Sequence, residues 1–84
     1  MEEKEIGAVE HYFGKVSVAI IKLTDTLKVG DTVHIKGHSE DFTQTVTSMQ
    51  IEHDVIREGT AGQSVGIKVD QKAHENDKVY KVTE

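Results

Sequence analysis

The chain has no cysteine, no proline and no tryptophan, and aromatic residues make up only 5% of its 84 residues. Without cysteine, disulfide bonds, thiolate metal ligands and cysteine nucleophiles are excluded, which fits a reducing compartment. The absence of proline is compatible with many paired strands, because proline removes a backbone donor from a sheet.

Signals for a membrane or for export are also lacking. The longest apolar run covers residues 18–21, far short of the roughly 18 residues that suggest a membrane span. The first residues are acidic and no apolar run follows them, so a secretory signal is not expected. We therefore expect a cytoplasmic protein that does not contact a membrane.

Positive charge is scarce. The formal net charge is −5, and the single arginine is Arg57. The electrostatic field of a negatively charged protein repels the nucleic-acid backbone at long range. Direct readout of bases normally uses several arginines. Non-specific DNA binding is therefore disfavoured, whereas a local basic patch is not.

The length predicts one domain over residues 1–84, with a core from about residue 6 to residue 82 and a disordered N-terminus at residues 1–4. A domain of this size buries only about 60 to 65% of the surface of its unfolded chain. The core is too thin for a large enclosed site, so function is expected on the outer face, a loop or an edge strand.

Alternation of apolar and polar residues predicts an all-β fold. In one segment Val33 and Ile35 point to one face, and in another Val65, Ile67 and Val69 repeat that pattern. The six predicted strands cover residues 5–12, 15–23, 32–37, 43–52, 64–69 and 78–82.

Two of these segments change phase. Val16, Val18 and Ile20 share one phase, whereas Ile21 and Leu23 take the other, and a similar change occurs between Val46 and Met49. A one-residue slip is typical of a β-bulge or a barrel corner. We therefore expect a small six-stranded antiparallel β-barrel, closed or nearly closed.

Turn motifs carry a resemblance to a known family. The ordered segments 27–35, 45–49 and 59–66, with turn residues Gly30, Asp31, Gly59 and Gly62, resemble the second domain of translational GTPases, the elongation factor Tu barrel. That resemblance implies a non-catalytic module of the translation-protein domain 2 type that contacts tRNA, rRNA or a ribosome-associated protein. Because the chain has no phosphate-binding G-x-x-x-x-G-K-[ST] loop, no GTP binding is expected.

A second resemblance leads to a different partner. Residues 28–31, 42–44 and 67–71 are similar to the C-terminal barrel of the collagenase-like peptidase family, some of whose members are linked to RNA modification. This resemblance implies the same architecture. It supports the alternative function, a protein-interaction subunit that docks on a partner enzyme, for example through an edge strand.

Candidate binding residues follow from the first resemblance and from residue type. Gln50 aligns with a glutamate that contacts aminoacylated tRNA in elongation factor Tu, His53 lies where a basic residue often follows, and Arg57 is the nearby arginine. Tyr12 with Phe13 and Lys15 would form a stacking platform for RNA bases. For Phe13 we favour the alternative that it plugs a barrel end.

No catalytic constellation, metal site or cofactor is predicted. The five histidines are expected to face solvent. His34 and His38 are four residues apart, but on a strand that leads into a turn this spacing does not place both imidazoles on one face, as it would on a helix. Neighbouring residues of a strand point to opposite faces, so Glu52, His53 and Asp54 are not expected to cooperate in acid–base chemistry. We therefore expect the chain not to be an enzyme.

Overall fold

The all-β prediction is confirmed. The structure is a computed structural model that describes residues 2–83, and these residues form ten strands and no helix. The strands are β1 (Glu2–Phe13), β2 (Val18–Leu23), β3 (Leu27–Lys28), β4 (Thr32–Lys36), β5 (Asp41–Thr45), β6 (Met49–Ile51), β7 (Asp54–Ile56), β8 (Glu58–Gly59), β9 (Ser64–Lys68) and β10 (Lys78–Thr83). Accordingly, residues 2–83 include no helix long and apolar enough to cross a membrane.

Eight of the strands form one sheet in the order β5-β4-β10-β1-β2-β9-β6-β7, and β3 pairs with β8 in a second sheet. Every pairing is antiparallel. Within the described part of the chain, the end strands β5 and β7 are not paired with each other, so closure of a barrel is not shown. The count of six strands is not confirmed either, since the predicted segment 43–52 divides into β5 and β6 around residues 46–48.

The core lies on the inner face of the large sheet. As predicted, Val33 and Ile35 of β4 are buried, and so are Val65, Ile67 and Val69 in and after β9. Period-two alternation places such residues on one face, and burying them removes their apolar surface from water. The buried apolar residues form one cluster: Ile6, Val9, Ala19, Ile21, Leu23, Leu27, Val33, Ile35, Phe42, Val46, Met49, Val65, Ile67, Val69, Ala73 and Val79.

Strand β1 is long because it pairs on both sides. Its register with β10 shifts between Glu5 and Gly7, and its register with β2 shifts between Val9 and His11. The expectation of disorder at residues 1–4 is wrong for residues 2–4, which pair with β10. Met1 lies outside the described residues.

The predicted phase slip in the second segment is also wrong. Strand β2 pairs with β9 in continuous register from Val18 to Lys22. Ala19, Ile21 and Leu23 enter the core, while Val18 and Ile20 lie half-buried on the opposite face. The strand is regular, and its apolar residues indicate a second apolar surface outside the core.

The predicted turn residues have different local roles. Gly30 and Gly62 have φ angles of 99° and 92°, a backbone conformation that glycine adopts without steric cost. The carboxylate of Asp31 accepts a hydrogen bond from the backbone N–H of Lys28 at 2.9 Å. Gly59 instead allows close packing, because a Cβ there would lie 2.8 Å from side-chain atoms of Leu23 and Val65.

Candidate functional site

An open groove of about 470 Å³ lies on the outer face of β2, β6 and β9. Its apolar wall comes from the β1–β2 hairpin, where Phe13 is 47% exposed and Val16 is 57% exposed. Val18 and Ile20, the outward residues of β2, continue this wall. We call this concavity the Gly66 groove, after the residue at its floor.

Gly66 leaves the floor of the groove open. A Cβ at this position would lie 3.2 Å from Ile20 Cδ1, 3.2 Å from Val18 Cγ1 and 3.4 Å from Gln50 Cγ. These distances are shorter than or close to ordinary carbon contacts. Any side chain at position 66 would therefore occupy the space between β2 and β6.

The polar wall belongs to the β6–β7 hairpin. Gln50, Glu52 and His53 line the groove there, and Ser64 lines it from β9. The hairpin turn consists of Glu52 and His53, whose φ angles are 49° and 71°. Two positive φ values define a type I′ turn, for which Asn-Gly is the preferred sequence. Glu52 and His53 adopt these angles less readily, so the turn is strained.

The groove continues toward the end of the sheet. A smaller concavity of about 270 Å³ shares Val16, Val18, Gln50 and Gly66 with it and adds Val55 and Lys68. Val55, at the centre of β7, is 82% exposed. Since β7 ends the sheet formed by residues 2–83, an apolar surface lies beside a strand edge that has no partner among these residues.

The structure brings only some of the predicted binding residues together. Gln50 and His53 lie together in the groove. Arg57 is exposed, does not line the groove, and accepts a hydrogen bond at its backbone oxygen from the N–H of Val29 at 2.9 Å. Lys15 is exposed in the turn between β1 and β2. The function of all these residues in binding remains a prediction.

Tyr12 does not join Phe13 in one platform. Tyr12 packs against the core and borders a different depression, whereas Phe13 lines the Gly66 groove. Adjacent residues of a strand point to opposite faces, which explains the separation. The expectation that Phe13 plugs a barrel end is also wrong, since nearly half of its surface is exposed.

The sequence did contain a signal for the groove. Val18 and Ile20 of β2 lie on the phase opposite to the core residues of that strand, and Val16 continues the same period into the preceding turn. A strand with apolar residues on both phases has an apolar surface on both faces. The predicted bulge explains this pattern by a phase change, and the sequence-based candidates therefore do not include these three residues.

His34 contradicts the prediction that all histidines face solvent. Its side chain is 14% exposed and lies between two carboxylates. Nδ1 lies 2.9 Å from Oε2 of Glu3, and Nε2 contacts Oδ1 of Asp41. Hydrogen bonds to Asp41 and to Glu3 raise the pKa of His34, and the bond to His34 lowers the pKa of Asp41. Both bonds favour the imidazolium, in which both nitrogens donate.

Two nearly buried carboxyl groups, those of Glu40 and Asp77, lie beside the exposed His74. Glu40 and His74 form an ion pair at 2.6 Å, and Asp77 is only 4% exposed. Burial raises the pKa of Asp77 and a hydrogen bond to the Glu40 carboxyl adds to that rise, while the His74 backbone N–H opposes it. A bond between two carboxyl groups requires a proton. The ligand atoms of the three residues lie within 4.8 Å of one another, a spacing also compatible with a metal ion.

A curated relative matches nearly the whole chain. The chain is 41% identical over 81 residues to an uncharacterized protease of Methanocaldococcus jannaschii; the match covers 95% of this chain and 20% of that protein. The chain therefore spans about a fifth of the length of this curated relative. No protein-family model matches the chain.

Solved structures show the same fold. The C-terminal domain of a Geobacillus thermoleovorans protein named as a U32 peptidase superposes with a TM-score of 0.89 at 22% identity, covering 95% of this chain and 93% of that domain. Its selenomethionine variant superposes with a TM-score of 0.86, covering 90% and 96%. The resemblance to the collagenase-like peptidase family is thus supported, whereas none of these proteins supports the resemblance to elongation factor Tu.

Proposed function

We propose that this chain is a non-catalytic protein-interaction domain that docks on a partner enzyme of the collagenase-like peptidase family. One observation carries the proposal: nearly the whole chain is 41% identical to a segment that makes up a fifth of a protein named as a protease. The other four fifths of that relative lie outside the matched segment. The domain described here would supply the corresponding part to an enzyme in a separate chain.

The arrangement of polar side chains favours a non-catalytic role. The Ser64 hydroxyl donates to Oε1 of Glu10 at 2.6 Å, and no hydrogen bond joins it to a histidine within residues 2–83. His34 and His74 contact carboxylates, and neither contacts a hydroxyl nucleophile among residues 2–83. A nucleophile–base pair is the minimum for hydrolysis by a serine or threonine side chain.

The charge distribution favours a protein partner over RNA. The net charge is −5, and Glu52 lines the groove while Glu10 borders it through Ser64. Binding to phosphates requires basic side chains near the contact surface. The predicted partners tRNA, rRNA and ribosome-associated proteins therefore lack support from either the site or the relatives.

The direct test is complex formation with a peptidase-family enzyme of the same host that lacks such a domain in its own chain. The two purified proteins are mixed, and the mass of the complex is measured by size-exclusion chromatography with light scattering. We expect a 1:1 complex that survives nuclease treatment and moderate salt, because its contacts are not with phosphates. Absence of a complex, or a complex lost with nuclease, contradicts the proposal.

A further inference from the structure

We propose that Glu40, His74 and Asp77 bind a divalent metal ion of the first transition row, for which zinc is the best match. The ligand atoms of the three residues lie within 4.8 Å of one another. No local spacing in the sequence indicates this site, because Glu40 and His74 are far apart in the chain. The inference goes beyond the proposed docking on an enzyme and is independent of it.

The three residues meet where two turns lie side by side. β10 pairs with β4, so Gly37, which follows β4, adjoins Asp77, which precedes β10. The Gly37 N–H donates to the Glu40 backbone oxygen at 2.8 Å and closes the turn that carries Glu40. The Asp77 N–H donates to the His74 backbone oxygen at 3.2 Å and closes the turn that carries His74. Backbone hydrogen bonds thus fix where all three ligands begin.

The absence of a side chain at Gly37 makes room for the Asp77 carboxyl group. A Cβ at position 37 would overlap Oδ1 of Asp77. The other oxygen, Oδ2, accepts from the His74 N–H at 2.9 Å. Oδ1 takes no part in that bond, so it can coordinate an ion.

The two buried carboxyl groups require positive charge. The Glu40 side chain is 9% exposed and Asp77 is 4% exposed. Ionised carboxyl groups that lie side by side away from water repel each other and lose hydration. In the metal-free chain, a proton between the two groups and a proton on His74 supply the compensating charge. One divalent ion supplies both charges and takes the place of these protons.

The ligand atoms favour zinc over the common alkaline-earth ions. One imidazole nitrogen and two carboxylate oxygens suit zinc and its first-row neighbours, whereas magnesium and calcium prefer oxygen ligands alone. Zinc lies about 2.0 to 2.2 Å from such ligands, so neighbouring ligand atoms of a tetrahedral site are about 3.4 Å apart. Nδ1 of His74 and Oε2 of Glu40 are 2.6 Å apart. They would separate by about 0.8 Å, and the half-exposed His74 side chain has room to move.

Zinc titration of the whole chain tests the site. The ¹⁵N-labelled protein is freed of metal with EDTA and desalted, and zinc chloride is added while calorimetry measures the affinity and NMR spectra locate the shifts. We expect one zinc ion per chain, with the largest amide shifts at Gly37, Glu40, His74 and Asp77. Binding should weaken in acidic solution, because protons compete for the ligands. Zinc should raise the unfolding temperature, since it binds the folded state, and magnesium should not.

His74→Gln has a closely matched control in His11→Gln. Both histidine side chains are 52% exposed, and Nδ1 of each lies near a glutamate oxygen. Among residues 2–83, the group of three ligands includes His74 and not His11. We expect His74→Gln to weaken zinc binding by about tenfold or more, since even residues that only support the ligands change metal affinity that much. His11→Gln should bind zinc like the unchanged chain.

Glu40→Gln is a second variant, which keeps the shape of the side chain and removes its charge. It should lose zinc binding as His74→Gln does, and NMR spectra of the free variants establish that each one is folded. The inference is overturned by absence of zinc binding, by equal affinity of the folded variants and the unchanged chain, or by shifts centred on other histidines, which would show adventitious surface binding. Complex formation with an enzyme is measured without added zinc, so its outcome is separate.

Discussion

The side chain of Gln44 in β5 is hydrogen-bonded to the backbone of Asp70, which follows β9, a strand that does not pair with β5. Its Oε1 accepts from the Asp70 N–H at 2.7 Å, and its Nε2 donates to the Lys68 backbone oxygen at 2.8 Å. Gln44 is on the end strand β5 and is 7% exposed. One carboxamide thus makes two bonds of the kind that a neighbouring strand would make. It joins two of the segments that carry the resemblance to the peptidase family, residues 42–44 and 67–71.

Gln44→Ala is expected to lower the free energy of unfolding by about 1 to 3 kcal/mol, because the backbone groups at positions 68 and 70 lose their partners. Urea unfolding followed by circular dichroism measures the change. Thr43→Ala, on the exposed face of the same strand, is the control and should cost much less. Equal losses at both positions would contradict a specific role for the carboxamide.

His34 should make stability depend on pH. Its folded pKa is raised from 6.5, so its contribution is fully present below that value and is lost as pH rises through the folded pKa. The pKa of Asp41 is lowered from 3.8, so its contribution is present above that value and is lost in more acidic solution. The contacts of His34 are therefore strongest between these two ordinary values.

The measurement compares His34→Gln with the unchanged chain at about pH 5.5 and at about pH 9, on either side of the ordinary histidine pKa. We expect the substitution to lower the urea midpoint more at the acidic pH. His11→Gln is the control, since His11 is 52% exposed and contacts the exposed Glu75. A loss for His34→Gln that is the same at both pH values would show that the imidazolium is not the stabilising form.

Asp77, like His34, should stabilise the fold at low pH more than at high pH, although it is a carboxyl group. Because its folded pKa is raised from 3.8, its contribution is present in acid and is lost as pH rises through the folded value. Asp77→Asn keeps an acceptor for the His74 N–H and cannot ionise. We expect its stability to change less between about pH 4 and pH 8, a range that begins near the ordinary carboxyl pKa.

The control for that experiment is Asp70→Asn, at an exposed aspartate whose backbone N–H, rather than its side chain, is bonded to Gln44. Thermal unfolding curves over the pH range provide the comparison. If Asp77→Asn and the unchanged chain have parallel pH profiles, the buried carboxyl is not the source of the dependence.

Relieving the strain in the turn between β6 and β7 should stabilise the fold. Replacing Glu52 by Asn and His53 by Gly creates the sequence that type I′ turns prefer, and should raise the free energy of unfolding by about 1 to 2 kcal/mol. Chemical denaturation measures the gain.

The control is Asp54→Gly, at an extended residue of β7. It should lower the free energy of unfolding, because glycine is disfavoured within strands. A stabilising Asp54→Gly would mean that the gain at positions 52 and 53 reflects glycine in general and not relief of positive φ angles.

Local features of the fold were accessible from the sequence, whereas its strand breaks were not. Alternation in β4 and β9 predicted which valines and isoleucines are buried, since period two is a property of each strand alone. The division of segment 43–52 was missed because Val46 lies between two strands and still enters the core. Buried apolar residues in a corner look like strand residues in a sequence.

The sequence by itself determined the all-β class, the inward residues of the long strands and the absence of thiol chemistry, because each depends on local composition and period. Only the tertiary structure decided which strand ends the sheet, that His34 lies between Glu3 and Asp41, and that Phe13, Gln50 and Gly66 form one groove. These features join residues far apart in the chain. Long-range pairing and register bring them together, and local patterns carry little information about either.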